Sequence, residues 1–151
     1  MIRYISLLLF IGLAWGQMFD TKAISFGIGD SETGISLFGL SLSKNFNEKH
    51  ALFLGAGTFA FVNPICIGLK KYNKKTDNQS SYSFFSIQYI ISRKNNIVPT
   101  LGIVSERILN DNSKKIKLGL MIFHAPKGFG AGPILRFERN FQTVHLHLNK
   151  R

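Results

Sequence analysis

The chain has one cysteine, Cys66, so no disulfide can form within it and no disulfide framework shapes its fold. Cys66 sits in the apolar run Ile65-Cys66-Ile67-Gly68-Leu69 and reads as a small packed residue rather than a nucleophile. The single tryptophan, Trp15, lies near the N-terminus. Acidic residues are scarce. Eight Asp and Glu stand against nineteen Lys and Arg, a formal net charge of +11. Such charge suits anionic lipid, acidic polysaccharide or nucleic acid, and nucleic acid is the poorest match for an exported chain. Helical periodicity is missing after residue 20. There is no low-complexity block and no long linker, so one domain is expected.

What is present begins with an export signal. Arg3 is followed by the apolar stretch Ile5 to Leu13, and Ala14-Trp15-Gly16 places small residues at the cleavage-determining positions. Residues 1–16 therefore read as a signal peptide cut before Gln17. The apolar stretch is shorter than the roughly 20 residues a spanning helix needs. Residues 17–151 are left as a single β-barrel domain.

From Thr21 to Phe141 large apolar residues recur at every second position. Ile24, Phe26 and Ile28 alternate with Ser25, Gly27 and Gly29; Ile116, Leu118, Leu120 and Ile122 alternate with Lys117, Gly119 and Met121. A period of two means strands. Eight are expected, at about 22–29, 35–44, 50–61, 65–72, 82–92, 97–106, 115–124 and 130–141. Asp30 to Gly34, Val62-Asn63-Pro64, Asn73 to Ser80 and Ala125 to Gly128 read as turns or connections between them. Short connections favour antiparallel neighbours. The expected fold is all-β: an antiparallel up-and-down β-barrel of about eight strands, closed so that no edge is exposed.

The positions between the large residues are mostly Gly and Ser: Gly27, Gly39, Ser41, Gly55, Gly57, Gly68, Ser86, Gly102 and Gly119. A soluble barrel would place solubilising residues there. The pattern fits better with large side chains facing lipid and small ones filling a narrow interior. Arg136 and Glu138 share the face opposite Phe137, and with Lys117, Gln88 and Glu106 they are candidates for an interior polar network. Phe46, Phe59, Phe61, Tyr72, Tyr82, Phe123 and Phe141 lie near expected strand ends, where aromatic girdles belong. Lys70, Lys71, Lys74 and Lys75 cluster at one connection, Arg93 and Lys94 at a second, and Lys114 and Lys115 at a third. They read first as solubilising turns and second as basic loops for anionic lipid or polysaccharide.

The strand pattern and the signal together resemble small eight-stranded outer-membrane barrel proteins of Gram-negative bacteria. Pro133 to Phe141, PILRFERNF, is similar to the terminal strand of that class, which ends on an aromatic residue and is read by the barrel-assembly machinery. The resemblance implies an outer-membrane location with the bilayer as partner, and a structural, adhesive or minor transport role. The alternative is a soluble periplasmic barrel or sandwich that binds an apolar ligand. Two features depart from the class. Residues 142–151 continue past the aromatic, as an extra strand or a tail, and the longest connections, 73–81 and 107–114, fall on the side where short turns are usual.

No residues point to catalysis, a cofactor or a metal. His145 and His147 share a strand face, but two ligands do not make a site. His124 with Ser105 or Ser113 is the best hydrolase-like grouping, and no third group supports it. The glycine-rich run Gly128 to Gly132 precedes a strand rather than a helix, unlike a phosphate loop.

Overall fold

The alternating segments form eight strands that close on themselves. The computed structural model describes residues 18–109 and 113–141. The expected signal peptide and the tail with His145 and His147 lie outside the described residues. The strands are β1 (Thr21–Ile28), β2 (Phe38–Asn45), β3 (His50–Thr58), β4 (Asn63–Lys75), β5 (Gln79–Ile91), β6 (Asn96–Ile108), β7 (Lys114–Ala125) and β8 (Gly128–Phe141). Each pairs antiparallel with the next, and β1 pairs with β8 through Phe26↔Phe137 and its neighbours. The result is a closed antiparallel barrel of sequential strands.

One end of the barrel, the terminal end, holds the start of β1, the finish of β8 and connections 46–49, 76–78 and 109–113. The opposite end holds connections 29–37, 59–62, 92–95 and 126–127.

Several boundaries differ from the expected ones. The β4–β5 hairpin extends through most of the polar segment, with a bulge between Tyr72 and Lys74, so only 76–78 connect the strands. Ladder hydrogen bonds are made by the backbone, so polar side chains do not stop a hairpin that projects beyond the barrel wall. Likewise β6 continues to Ile108, leaving 109–113 as the next connection. The long connections expected at 73–81 and 107–114 are therefore short. Pro64 lies inside β4 rather than in a break. It precedes the first β3–β4 register pair, Ala56↔Ile65, so its missing N–H removes no bond from that ladder.

The largest difference is at 35–37, which are not strand. They belong to a connection, 29–37, that turns back into the barrel. Gly29 and Gly34 take left-handed φ values of 61° and 69°. Between them Asp30 and Gly34 exchange backbone hydrogen bonds at 2.9 and 3.1 Å, closing a tight turn.

Alternation sorts the side chains as the period of two requires. Phe53, Tyr82, Phe84, Val104, Met121 and Ile134 pack together in the interior. Glycines make room for them: a Cβ on Gly68 would strike the Phe53 ring, and one on Gly102 the Phe84 ring. Tyr82 is buried, and Tyr72 and Phe123 are half-buried against this core, so these three are not girdle residues. They share the inward parity of Phe84 and Met121. Phe46, Phe59, Phe61 and Phe141 are exposed near the barrel ends.

Candidate functional site

The interior of the barrel holds a charged cluster built from three sources: connection 29–37, β4, and the β7–β8 pair. The connection enters because β2 and β3 leave it space. A Cβ on Gly39 would strike Thr33, one on Gly55 the carbonyl of Glu32, and one on Gly57 the side chain of Ser36. Three glycines thus form a cradle for residues 30–36. As a consequence, Gly55→Val is expected to destabilise the barrel by about 1–3 kcal/mol, because the obstructing atom is backbone and cannot swing aside. Denaturant unfolding in detergent followed by circular dichroism measures this. Unchanged stability would show that the connection does not need the cradle.

Inside the cradle, Asp30, Ser31, Glu32, Thr33 and Ser36 are all buried. The Thr33 hydroxyl donates to Asp30 Oδ2 at 3.0 Å. The hydroxyls of Ser31 and Tyr82 bond at 2.9 Å, which ties the connection to β5 across the lumen.

Arg136 on β8 and Lys117 on β7, both 0% exposed, reach this segment across the lumen. Arg136 Nη1 donates to the carbonyls of Gly27 at 2.7 Å and Ser36 at 2.5 Å. Its Nη2 donates to Thr33 Oγ1 at 3.0 Å and Ser36 Oγ at 3.1 Å, and its Nε lies 3.9 Å from Asp30 Oδ2. Lys117 pairs most closely with Glu138, and its Nζ is 3.6 Å from Asp30 and 3.4 Å from Glu32. Lys70 pairs with Glu32 and lies 4.9 Å from the Tyr82 ring centre. Three carboxylates, Asp30, Glu32 and Glu138, thus meet three cations, Lys70, Lys117 and Arg136. That balance matters, because each charge is out of water and an unpaired one costs several kcal/mol.

Of the five residues proposed from sequence, the structure brings Lys117, Arg136 and Glu138 into this one cluster. Glu106 stands apart, accepting from Ser80 Oγ at 2.5 Å with Lys115 at 3.6 Å. Gln88 also stands apart. Its amide donates to Thr100 Oγ1 at 2.7 Å, and its carbonyl accepts from Ile35 N at 3.4 Å. It therefore holds the connection from the β5 side.

Asp30, Glu32 and Lys70 were not among the five. Lys70, which the sequence groups with Lys71, Lys74 and Lys75 at one connection, is buried, while those three are exposed. Parity carries the signal for it, since Lys70 falls in phase with inward Cys66 and Gly68. For Asp30 and Glu32 the only signal is indirect: the empty Gly39, Gly55 and Gly57 face needs something from elsewhere to fill it. Lys115 is also no simple turn residue, being partly buried beside Glu106.

The hydrolase-like grouping is not formed. His124 points outward near connection 126–127 and packs edge-on to Phe129 at 4.7 Å. Ser105 pairs in register with Leu118, about 20 Å away along β7 at strand rise. Ser113 lies at the terminal end. Among the described residues, no three His, Cys, Asp or Glu side chains are grouped as metal ligands.

Comparison with family models, with curated proteins and with solved structures finds no match.

Proposed function

We propose that the chain is a small outer-membrane barrel that is structural rather than conducting, exported by residues 1–16 and seated in a lipid bilayer with its lumen filled. The observation that carries this reading is the inversion of the two faces. Leu118, Leu120 and Ile122 are 55%, 61% and 58% exposed, while charges occupy the interior. Similar outward residues recur around the wall, including Ile24 and Phe26 on β1, Ile67 on β4, Ile87 on β5 and Leu135 on β8. A continuous apolar belt of this kind is not tolerated on a water-soluble monomer. Lipid supplies no hydrogen bonds, and a closed barrel needs none from it. Strands β4 to β8 are 12–14 residues long, beyond the roughly 9–11 that a tilted spanning strand requires; β3, at 9, sits at the lower limit and β1 and β2, at 8, fall one residue short of it.

The soluble alternative needs Ile116, Leu118 and Leu120 turned inward around an apolar cavity. The interior instead holds the charged cluster and connection 29–37, which weighs against that alternative. The same filling argues against a transport role.

Refolding the mature chain tests the proposal. In detergent or phospholipid vesicles it is expected to give a compact form that runs faster on unheated gels than after boiling. A stable, monomeric, detergent-free solution of folded protein would overturn it. In planar bilayers the folded protein is expected to show no steady conductance.

A further inference from the structure

The outward-facing cations, some exposed and some, like Lys22 and Lys44, half-buried, are distributed unevenly over the outer wall. Lys22, Lys44, Lys71, Arg107, Lys114 and Arg139 each fall on the outward parity of their strands, all at the terminal end of the apolar belt, where the apolar Leu109 and Phe141 follow Arg107 and Arg139. Lys22 follows the parity of Ile24 and Phe26, Lys71 that of Ile67 and Leu69, and Arg139 that of Leu135 and Phe137. At the opposite end the outward strand positions are Ile28, Phe38, Thr58, Asn63, Ile91, Ile97, His124 and Phe129, without a Lys or Arg among them. There the cations Arg93, Lys94 and Lys127 sit only in connections. The collar thus belongs to the strands, held in place by backbone ladders, and is not a property of flexible turns.

Among the described residues, Lys22, Lys44, Lys71, Arg107 and Arg139 form no ion pair with a carboxylate. Lys114 and Arg139 are direct register partners across β7 and β8. Beside them a groove of about 300 Å³ runs along the outer wall, floored by Ile24, Phe26 and Phe137 with Lys114 and Arg139 at its terminal end. An apolar trough closed by the Arg139 cation matches an acyl chain below a phosphate. Lys and Arg stems lie along apolar surface while their heads reach the polar layer.

We propose that this collar binds the phosphates of anionic lipid headgroups in the leaflet at the terminal end, and that Arg139 with its groove seats one such lipid. The proposal rests on the bilayer reading above. It predicts a fixed sense of seating: cations meet phosphates at one end, and Phe59, Phe61 and Phe129 meet the other interface.

The test uses the refolded mature chain in neutral detergent micelles, titrated with pyrene-labelled phosphatidylglycerol or phosphatidylcholine. Phosphatidylglycerol is expected to bind more tightly, with an advantage that shrinks as salt rises. The variant K22Q/K44Q/K71Q/R139Q is expected to weaken its binding roughly a hundredfold. The variant R93Q/K94Q/K127Q removes three charges from the other end and is expected to leave binding unchanged. Unheated gels show that each variant is folded. Equal affinity for the two lipids, or equal loss in both variants, would overturn the collar while leaving the membrane reading intact. Displacement of the lipid by millimolar inorganic phosphate, with no effect of Phe137→Ser in the groove, would show a free-phosphate site and overturn the lipid assignment. A chain that enters neither micelles nor vesicles would sink the bilayer reading, and the collar with it.

Discussion

Lys117→Met is expected to lower the unfolding free energy by about 3–5 kcal/mol, the usual cost of removing one partner from a buried charge cluster. Lys117 is fully buried and contacts Glu138, Glu32 and Asp30, so its loss leaves three carboxylates facing one another with only Lys70 and Arg136 to balance them. Burial amplifies that repulsion, because the interior screens charge far less than water does. Methionine keeps most of the stem volume, which separates the charge effect from a cavity effect. The double variant Lys117→Met with Glu138→Leu removes the closest pair together and is expected to recover part of the loss, with a coupling energy of about 0.5–3 kcal/mol. Urea unfolding in detergent, followed by circular dichroism and by the unheated gel band, gives all three values. A single variant as stable as the parent would mean that the cluster is not balanced through Lys117.

Arg136→Met is the second large effect, expected at about 3–5 kcal/mol. Its consequence is more local. Arg136 makes four hydrogen bonds, three of them to Thr33 and Ser36 of the inserted connection and one to the Gly27 carbonyl just before it. Hydrogen bonds to a charged group contribute about 1.5–3 kcal/mol each, though not additively. Without them the connection keeps its glycine cradle and the Gln88 contact but loses its main clamp. Amide exchange at Asp30 and Gly34, which bond to each other, is then expected to accelerate much more than exchange in β5 and β6. Openings of the lumen are expected to appear as brief conductance events in planar bilayers, where the parent is expected to be silent. Arg136→Lys is expected to rescue little, because an ammonium lacks the planar fork that reaches two carbonyls and two hydroxyls at once. If exchange rises equally throughout the barrel, Arg136 stabilises the whole fold and does not act as a clamp on this segment.

Much of the architecture was legible in the residues. Eight apolar alternations predicted eight strands, and short connections predicted antiparallel neighbours. The parity of Lys117, Arg136 and Glu138 placed them opposite the outward residues Leu118 and Phe137. Side-chain polarity is a poor guide to where these strands end. The polarity of 73–81 predicts a loop, yet backbone pairing carries β4 to Lys75 and restarts β5 at Gln79. For Lys70, the lysine neighbours in sequence point to the surface, while its parity with Cys66 and Gly68 points inward and is the better guide.

Strand parity is local, since successive side chains on an extended backbone must point to opposite sides. The sequence by itself therefore determined the number of strands, their antiparallel order and the sorting of most side chains between wall and lumen. Partner choice within the lumen is not local. Asp30 and Glu32 lie in a turn that has no parity, and nothing in their own segment says whether they face water or fold inward. Only closure of the barrel decided that. Pairing of β1 with β8 brings Arg136 beside Gly27, and the glycines of β2 and β3 leave a space that the connection fills. Once there, two carboxylates with no access to water required Lys70, Lys117 and Arg136 from strands far away in sequence.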